Sequence, residues 1–383
     1  GGDAGISGKT GRAFSDGIGN QDADPRFMDA AASDLRLQPS SPAIDAGDNA
    51  ALSVGAERDQ QGFARIADGD GDQIAVVDIG ALEAPPAVIY VDDDASGAAT
   101  GLTWNDALSS LQDALAWAMG DTEIWVAVGT YYPDEGTGVT DDDTFADFRV
   151  AYNGIGLYGG FAGDEMTREA RDPMANLTIL SGDLQQDDAN ADDDAIAETY
   201  QDILGVNAHH VLWLDGVGRE PLDETTVVDG FVVTAGQADG SSPHHRGGGI
   251  YCAGNGTGHG CAPQLTNLVL TGNTAVVGGG VYNDGDGGSS SPQMTSLMFQ
   301  GNHASARGGG LYNNGGSGGD SSPHLTNVLF AANSAEDRGG AIHNRGEAGA
   351  SSPILVNITF AGNTAENGGA MYSDGRDGGV LGV

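Results

Sequence analysis

Lysine is almost missing from this chain. Of 383 residues only Lys9 is a lysine, and Lys and Arg together number 15 against 55 Asp and Glu, a formal net charge of −40. A surface so poor in cations repels phosphate backbones and anionic headgroups, so nucleic acid and membrane surfaces are not expected partners. Divalent cations, salt-rich water and polyols remain compatible. Solubility at high salt accounts for the same charge as well as cation binding does, and both readings stay open. Long hydrophobic runs are also missing. Stretches such as Ile124–Val128 fall far short of the ~20 apolar residues that a bilayer requires, so this segment is not expected to insert into one. Gly1 opens the chain without a secretion-signal pattern, which reads as a mature or excised segment. Cysteine is confined to Cys252 and Cys261, with a Gly-rich stretch between them that a small closed loop would need. A disulfide is favoured over free thiols, and it places the protein outside the cytosol, extracellular or at a cell surface. Three glycosylation-type sequons, at Asn176, Asn255 and Asn357, add little in a chain of this composition.

What is abundant is glycine, 64 residues, alongside 39% apolar residues. There is no collagen period and no shortage of hydrophobicity, so a turn-rich, mostly β protein is implied. From residue 247 the chain repeats itself. "GGGIY", "GGGVYN", "GGGLYN", "GGAIHN" and "GGAMYS" place rings at Tyr251, Tyr282, Tyr312, His343 and Tyr372. Between them recur "APQLTNLVLTGN", "SPQMTSLMFQGN", "SPHLTNVLFAAN" and "SPILVNITFAGN", with ten residues from Pro263 to Asn273, Pro292 to Asn302, Pro323 to Asn333 and Pro353 to Asn363. Constant spacing marks packed strand and corner. The Gly/Ser/Asp stretch from each ring to the next proline varies by a residue or two, as an outward loop would, for example at 283–291 and 313–322.

A unit of about thirty residues cannot bury its own apolar face, so neighbouring units must stack. The spacing predicts an all-β parallel solenoid in which each repeat is one coil. Asn273, Asn302, Asn333 and Asn363 then form an internal amide ladder at a corner where Asn also tolerates left-handed backbone angles, and Tyr251, Tyr282, Tyr312 and Tyr372 form a second column. Stacked ladders stabilise solenoids whether or not they bind anything.

The "FQGN", "FAAN" and "FAGN" elements alternating with "GGA"-like elements resemble the repeats of chlamydial-type polymorphic outer membrane proteins and of right-handed parallel β-helix proteins of the pectin-lyase-like superfamily. Upstream, "IYVDDDASGAATGLTWNDALSSLQDALAWAMGDTEIWVAVGTYYP" resembles the usual opening of such proteins, a strand followed by a capping helix. That helix is expected near 104–119, capped by Thr103 and burying Leu108, Leu111 and Leu115. "GNQDADPRFMDAAASDLRLQPSSPAIDAGDN" resembles the segment that closes these proteins, yet here it comes first. The resemblance therefore implies a permuted order: a closing segment at 1–84, a seam at 85–87 about Pro85–Pro86, opening strand, helix and first coils at 88–245, and repeat coils at 246–383. It also leaves "GGAMYSDGRDGGVLGV" as an unfinished end open to another chain.

Candidate chemistry is sparse. "DGDGDQIAVVD" sets Asp68, Asp70 and Asp72 at alternate positions, with Asp78 able to add a late carboxylate; hard oxygen ligands so spaced suit a structural Ca²⁺, and a solvated acidic turn is the alternative. Gln73 and Ile79 stand where an EF-hand needs glycine and glutamate, which excludes that motif. The runs at Asp92–Asp94, Asp141–Asp143 and Asp192–Asp194 read as solvated loops. "GHG" at 258–260 resembles one polygalacturonase motif, but the companion Asn-Thr-Asp is Asn-Thr-Ala at Asn273–Ala275 and no Arg-x-Lys follows. His209–His210 and His244–His245 lack the ligand spacing of a transition-metal site. No catalytic residue is assigned. The expectation is a non-enzymatic block of an extracellular fibre, sheath or long adhesin that assembles with copies of itself; a carbohydrate-active or glycan-binding surface protein is the competing class.

Overall fold

A computed structural model describes residues 23–189, 192, 194–375 and 380–381 of the chain. Strands dominate from Val88 onward, and they pair in parallel, each with its equivalent in the next coil. The protein is an all-β parallel β-helix. One long wall carries two strands per coil: Gln264–Thr266 and Val269–Thr271, then Gln293–Thr295 and Met298–Gln300, and in the last two coils the merged strands His324–Ala331 and Ile354–Ala361. A second wall stacks Phe148–Val150, Leu212–Asp215, Ile250–Ala253, Val281–Asp284, Leu311–Asn314, Ile342–Arg345 and Met371–Asp374.

Because side chains alternate along a strand, each inward position becomes a column when coils stack in register. Ile89, Ile124, Leu157, Val228, Leu265, Met294 and Leu325 form one such column, all fully buried. Leu180, Val233, Leu270, Phe299 and Phe330 form a second; Phe148, Leu212, Ile250, Val281, Leu311 and Ile342 form a third. At about 1.5–3 kcal/mol per fully buried aliphatic or aromatic side chain, these columns are the main attraction between coils.

Left-handed residues turn the coil at three corners, the third being Gly247, Gly278, Gly308, Gly339 and Gly368. The first lies at Gly230, Asn267, Ser296, Asn327 and Asn357, each in the left-handed region. The second lies at Ala235, Gly272, Gly301, Ala332 and Gly362, again left-handed. The ladder asparagines directly follow that second corner and do not use the left-handed angles that Asn tolerates. Their preceding residue turns the chain, which frees the carboxamides for hydrogen bonding along the axis.

The helix α1 is shorter than expected, Leu111–Trp117, and its cap is Ser110, whose side chain accepts from the Gln112 amide. Thr103 instead holds a turn by accepting from Asp106 N at 3.2 Å. Leu108 is extended and bridges Val91, because the opening strand Val88–Val91 needs a backbone partner before the chain can rise into the helix. Leu111, Ala114, Leu115 and Trp117 bury α1 against the first coil. Outside it lie residues 23–84, with an antiparallel hairpin Phe27–Asp29 and Asp34–Leu37. Phe63 stacks on Trp117 at 4.8 Å, Ala64 and Ala67 join the main core, and Arg58 donates to the carbonyls of Ala98 and Ala99. These residues therefore cover the beginning of their own solenoid. The part of the expected closing segment before residue 23 lies outside the described residues.

Candidate functional site

The amide ladder is continuous. Asn273 Nδ2 donates to Asn302 Oδ1 at 3.0 Å, Asn302 Nδ2 to Asn333 Oδ1 at 2.9 Å, and Asn333 Nδ2 to Asn363 Oδ1 at 3.0 Å; each Nδ2 also reaches a carbonyl of the preceding coil. The first three asparagines are fully buried. Each is therefore satisfied in a site where an unpaired amide would be costly. A parallel ladder, unmarked by the spacing argument, runs through Asn283, Asn313, Asn344 and Ser373, with 2.8, 2.8 and 3.1 Å links.

The ring column also forms. Trp213, Tyr251, Tyr282, Tyr312, His343 and Tyr372 follow one another with centroids 4.6–5.7 Å apart. It faces outward from the wall but is covered. Arg246 lies over Tyr282 and pairs with Asp284 at 3.2 Å, while Tyr251 donates its hydroxyl proton to the same carboxylate at 2.7 Å. Burial pushes the His343 imidazole down to about 3, so it stacks as a neutral ring. With Tyr251, Tyr282 and Tyr312 each under 5% exposed, the middle of the column offers no open aromatic platform, while Trp213 and Tyr372 at its ends are partly exposed.

Cys252 and Cys261 are joined by a disulfide. The pairing register explains its place. Cys252 occupies the column continued by Asn283, Asn313 and Asn344, and Cys261 the position below Ser290. Asn283 Oδ1, the one ladder oxygen whose lower neighbour is a cysteine, has no hydrogen-bond donor. The stretches 283–291 and 313–322 are outward loops only in part: Asn283, Asp284, Asn313 and Asn314 belong to buried strands, whereas Ser317 and Gly318 are exposed, and the glycine turns stack on one another. A Cβ at Gly285 would lie 2.0 Å from Asp320 O, which is why this stretch is glycine-rich although its length varies.

In the acidic loop, Asp68 and Asp70 do converge, but their third partner is Asp45 rather than Asp72 or Asp78. Asp45 lies 23 residues upstream of Asp68, so no local spacing signalled it. Asp68 accepts from the amides of Gly71, Asp72 and Gln73; Asp45 accepts from Gly69, Asp70 and Val76. Asp72 turns to the Ile74 amide. Asp78 is buried and serves the fold, accepting from Asp45 N and Ala84 N at 2.8 and 2.7 Å. Next to it Glu83 accepts from Asp78 N and lies 3.3 Å from Arg65. Burial raises Glu83 to about 8, and the neighbouring Asp78 charge adds to the rise; burial likewise raises Asp78 to about 6. Three further carboxylate triplets occur among the described residues: Asp134/Asp141/Asp142, Asp183/Asp187/Asp188 and Asp192/Asp194/Glu198.

The last described coil differs from the others. Ile354 is 56% and Val356 46% exposed, and Leu355, Ile358, Phe360 and Met371, whose equivalents one coil earlier are buried, are half-open. Among the described residues only Val380–Leu381 begins a further layer, on Ala350–Ser351. No helix among the described residues is long and apolar enough to cross a membrane. No protein-family model, curated protein or solved structure matches this chain.

Proposed function

We propose that this chain is a non-enzymatic building block of an extracellular fibre, sheath or long surface adhesin, lengthened by stacking β-helical coils end to end, through a second copy or through continuing chain. The observation that carries the proposal is the asymmetry of the two ends. At one, α1 and residues 23–84 seal the core; at the other, Leu355, Ile358, Phe360 and the unpaired edge of Ile354–Ala361 lie open. Such an edge is a template for another strand. The kinship with pectin-lyase-like β-helices and polymorphic outer membrane repeats belongs to this proposal. So does the non-enzymatic reading: Asn273, the companion of His259 in the hydrolase-like motif, is fully buried and spent on the ladder. The disulfide supports an oxidising location.

Cryo-electron microscopy of concentrated protein tests this directly. Particles joined end to end through residues 354–375 are expected; discrete particles with that end bare at high concentration and in calcium overturn the reading. Calcium enters as a structural ligand of Asp45, Asp68 and Asp70. A rise in melting temperature on adding Ca²⁺, abolished in Asp68→Asn, is the expected result, and an identical response in that variant removes the site from the proposal.

A further inference from the structure

Four histidines, His209, His210, His244 and His245, contain an arrangement of their own beside the segment that follows Asp141–Asp143. His210 is 1% exposed, two residues before the strand Leu212–Asp215, and its Nδ1 lies 2.9 Å from Gly247 O. A carbonyl only accepts, so Nδ1 carries the proton and Nε2 presents a lone pair. That Nε2 lies 3.2 Å from Nδ1 of His244, a half-buried residue on the neighbouring loop. Phe145, 58% exposed, stands edge-on to His244 at 4.9 Å and to His209 at 5.2 Å, and Trp213 and Tyr251 wall the inner side of His210 at 5.0 and 5.4 Å.

The geometry points to a binding site for a borderline divalent transition cation, with Cu²⁺ preferred to Zn²⁺, held by His210 Nε2 and His244 Nδ1. Two imidazole nitrogens each about 2.0–2.1 Å from one metal stand roughly 2.9 Å apart at the right angle of a tetragonal site and roughly 3.3 Å apart in a tetrahedral one, and the spacing observed lies between. The His210 ring is already fixed by a backbone carbonyl at its other nitrogen, the orientation that ligating histidines generally have. Nitrogen donors discriminate against Ca²⁺, which takes oxygen, and the preference for Cu²⁺ follows the general order of divalent affinities. Without a cation the same two atoms share one proton, His244 Nδ1–H donating to His210 Nε2. Water or an external ligand completes the coordination, since among the described residues no third His, Cys, Asp or Glu donor atom lies within 4.8 Å of both nitrogens.

The test is electron paramagnetic resonance of the full chain with one equivalent of Cu²⁺, in excess Ca²⁺ to occupy the carboxylates. Coupling to two imidazole nitrogens is expected. His244→Gln should remove one nitrogen and weaken Cu²⁺ binding by about tenfold or more, with circular dichroism unchanged, and His210→Gln should do the same. If the buried His210 variant fails to fold, the half-exposed His244 variant decides. His259→Gln should leave the spectrum unaltered. An oxygen-only or single-nitrogen spectrum in the unmodified protein, or a two-nitrogen spectrum that survives His244→Gln, overturns the site. The readout does not depend on end-to-end assembly.

Discussion

At the scale of single residues, two substitutions separate a strained turn from a tolerant one. Gly272 and Gly362 occupy the same left-handed corner, with φ of +63° and +65°. A Cβ at Gly272 would sit 2.2 Å from Ala197 O, because the 195–199 stretch crosses that corner; at Gly362 the nearest atom is 4.0 Å away. Ala332 already holds the equivalent place at φ 55°, exposed to solvent. Gly272→Ala is therefore expected to destabilise by about 2 kcal/mol or more, and Gly362→Ala by under about 1 kcal/mol, in denaturant unfolding. The disulfide allows a second comparison. In Cys252→Asn with Cys261→Ser, the introduced carboxamide can donate to the orphaned Asn283 Oδ1. This pair of changes is expected to leave the protein about 1 kcal/mol more stable than Cys252→Ala with Cys261→Ala, although both lose the loop constraint. Equal stabilities would show that Cys252 does not stand in for a ladder asparagine.

At the scale of elements, residues 23–84 are held by groups that titrate. Glu83 is raised to about 8 and Asp78 to about 6, from ordinary values of 4.5 and 3.8. A carboxyl whose pKa is raised by folding binds its proton more tightly in the folded state. Its favourable contribution is complete below the ordinary value and is lost as pH rises through the folded one. Hydrogen exchange across 43–84 should thus slow as pH is lowered from about 8.5 to 5.5, after correction for the intrinsic rate. Glu83→Gln keeps a carbonyl oxygen for the Asp78 amide without the charge, and should flatten that dependence above pH 6.5. A dependence unchanged in the variant would assign the effect to other groups. The helix teaches a related lesson: amphipathic spacing in "DALSSLQDALAW" is compatible with an earlier start, but backbone pairing of Leu108 with the opening strand took precedence.

For the whole molecule, a net charge of −40 opposes contact between copies, while the apolar end coil favours it. Salt screens the first term and leaves the second nearly untouched. End-to-end association is therefore expected to strengthen from roughly 10 mM to 500 mM salt, across which the Debye length falls from about 30 Å to a few Å. Val356→Asp, on the exposed strand of the last coil, should abolish it without lowering the melting temperature, as sedimentation velocity would show. Association that weakens with salt, or persists in that variant, would mean that copies meet elsewhere.

The Asn273–Asn363 ladder, the ring column, the coil period and the mostly β architecture were legible in the amino-acid sequence, whereas the second ladder through Asn283 was not. In a solenoid the partner of a residue lies one repeat away, so regular spacing along the chain becomes stacking in space. The Asn and Tyr columns followed directly from that rule. Other features came from contacts that no period encodes. Asp45 completes the pair Asp68–Asp70, residues 23–84 cover the start of their own solenoid, and His244 returns to within 3.2 Å of His210. The stretches 283–291 and 313–322 looked like free loops because their length varies, yet glycine lets their backbones stack as closely as strands do. The repeating part of the protein was thus determined by local sequence. The ends, the turns with something packed over them and the clusters of titratable groups were decided by tertiary structure, because they depend on which distant segment closes over each coil.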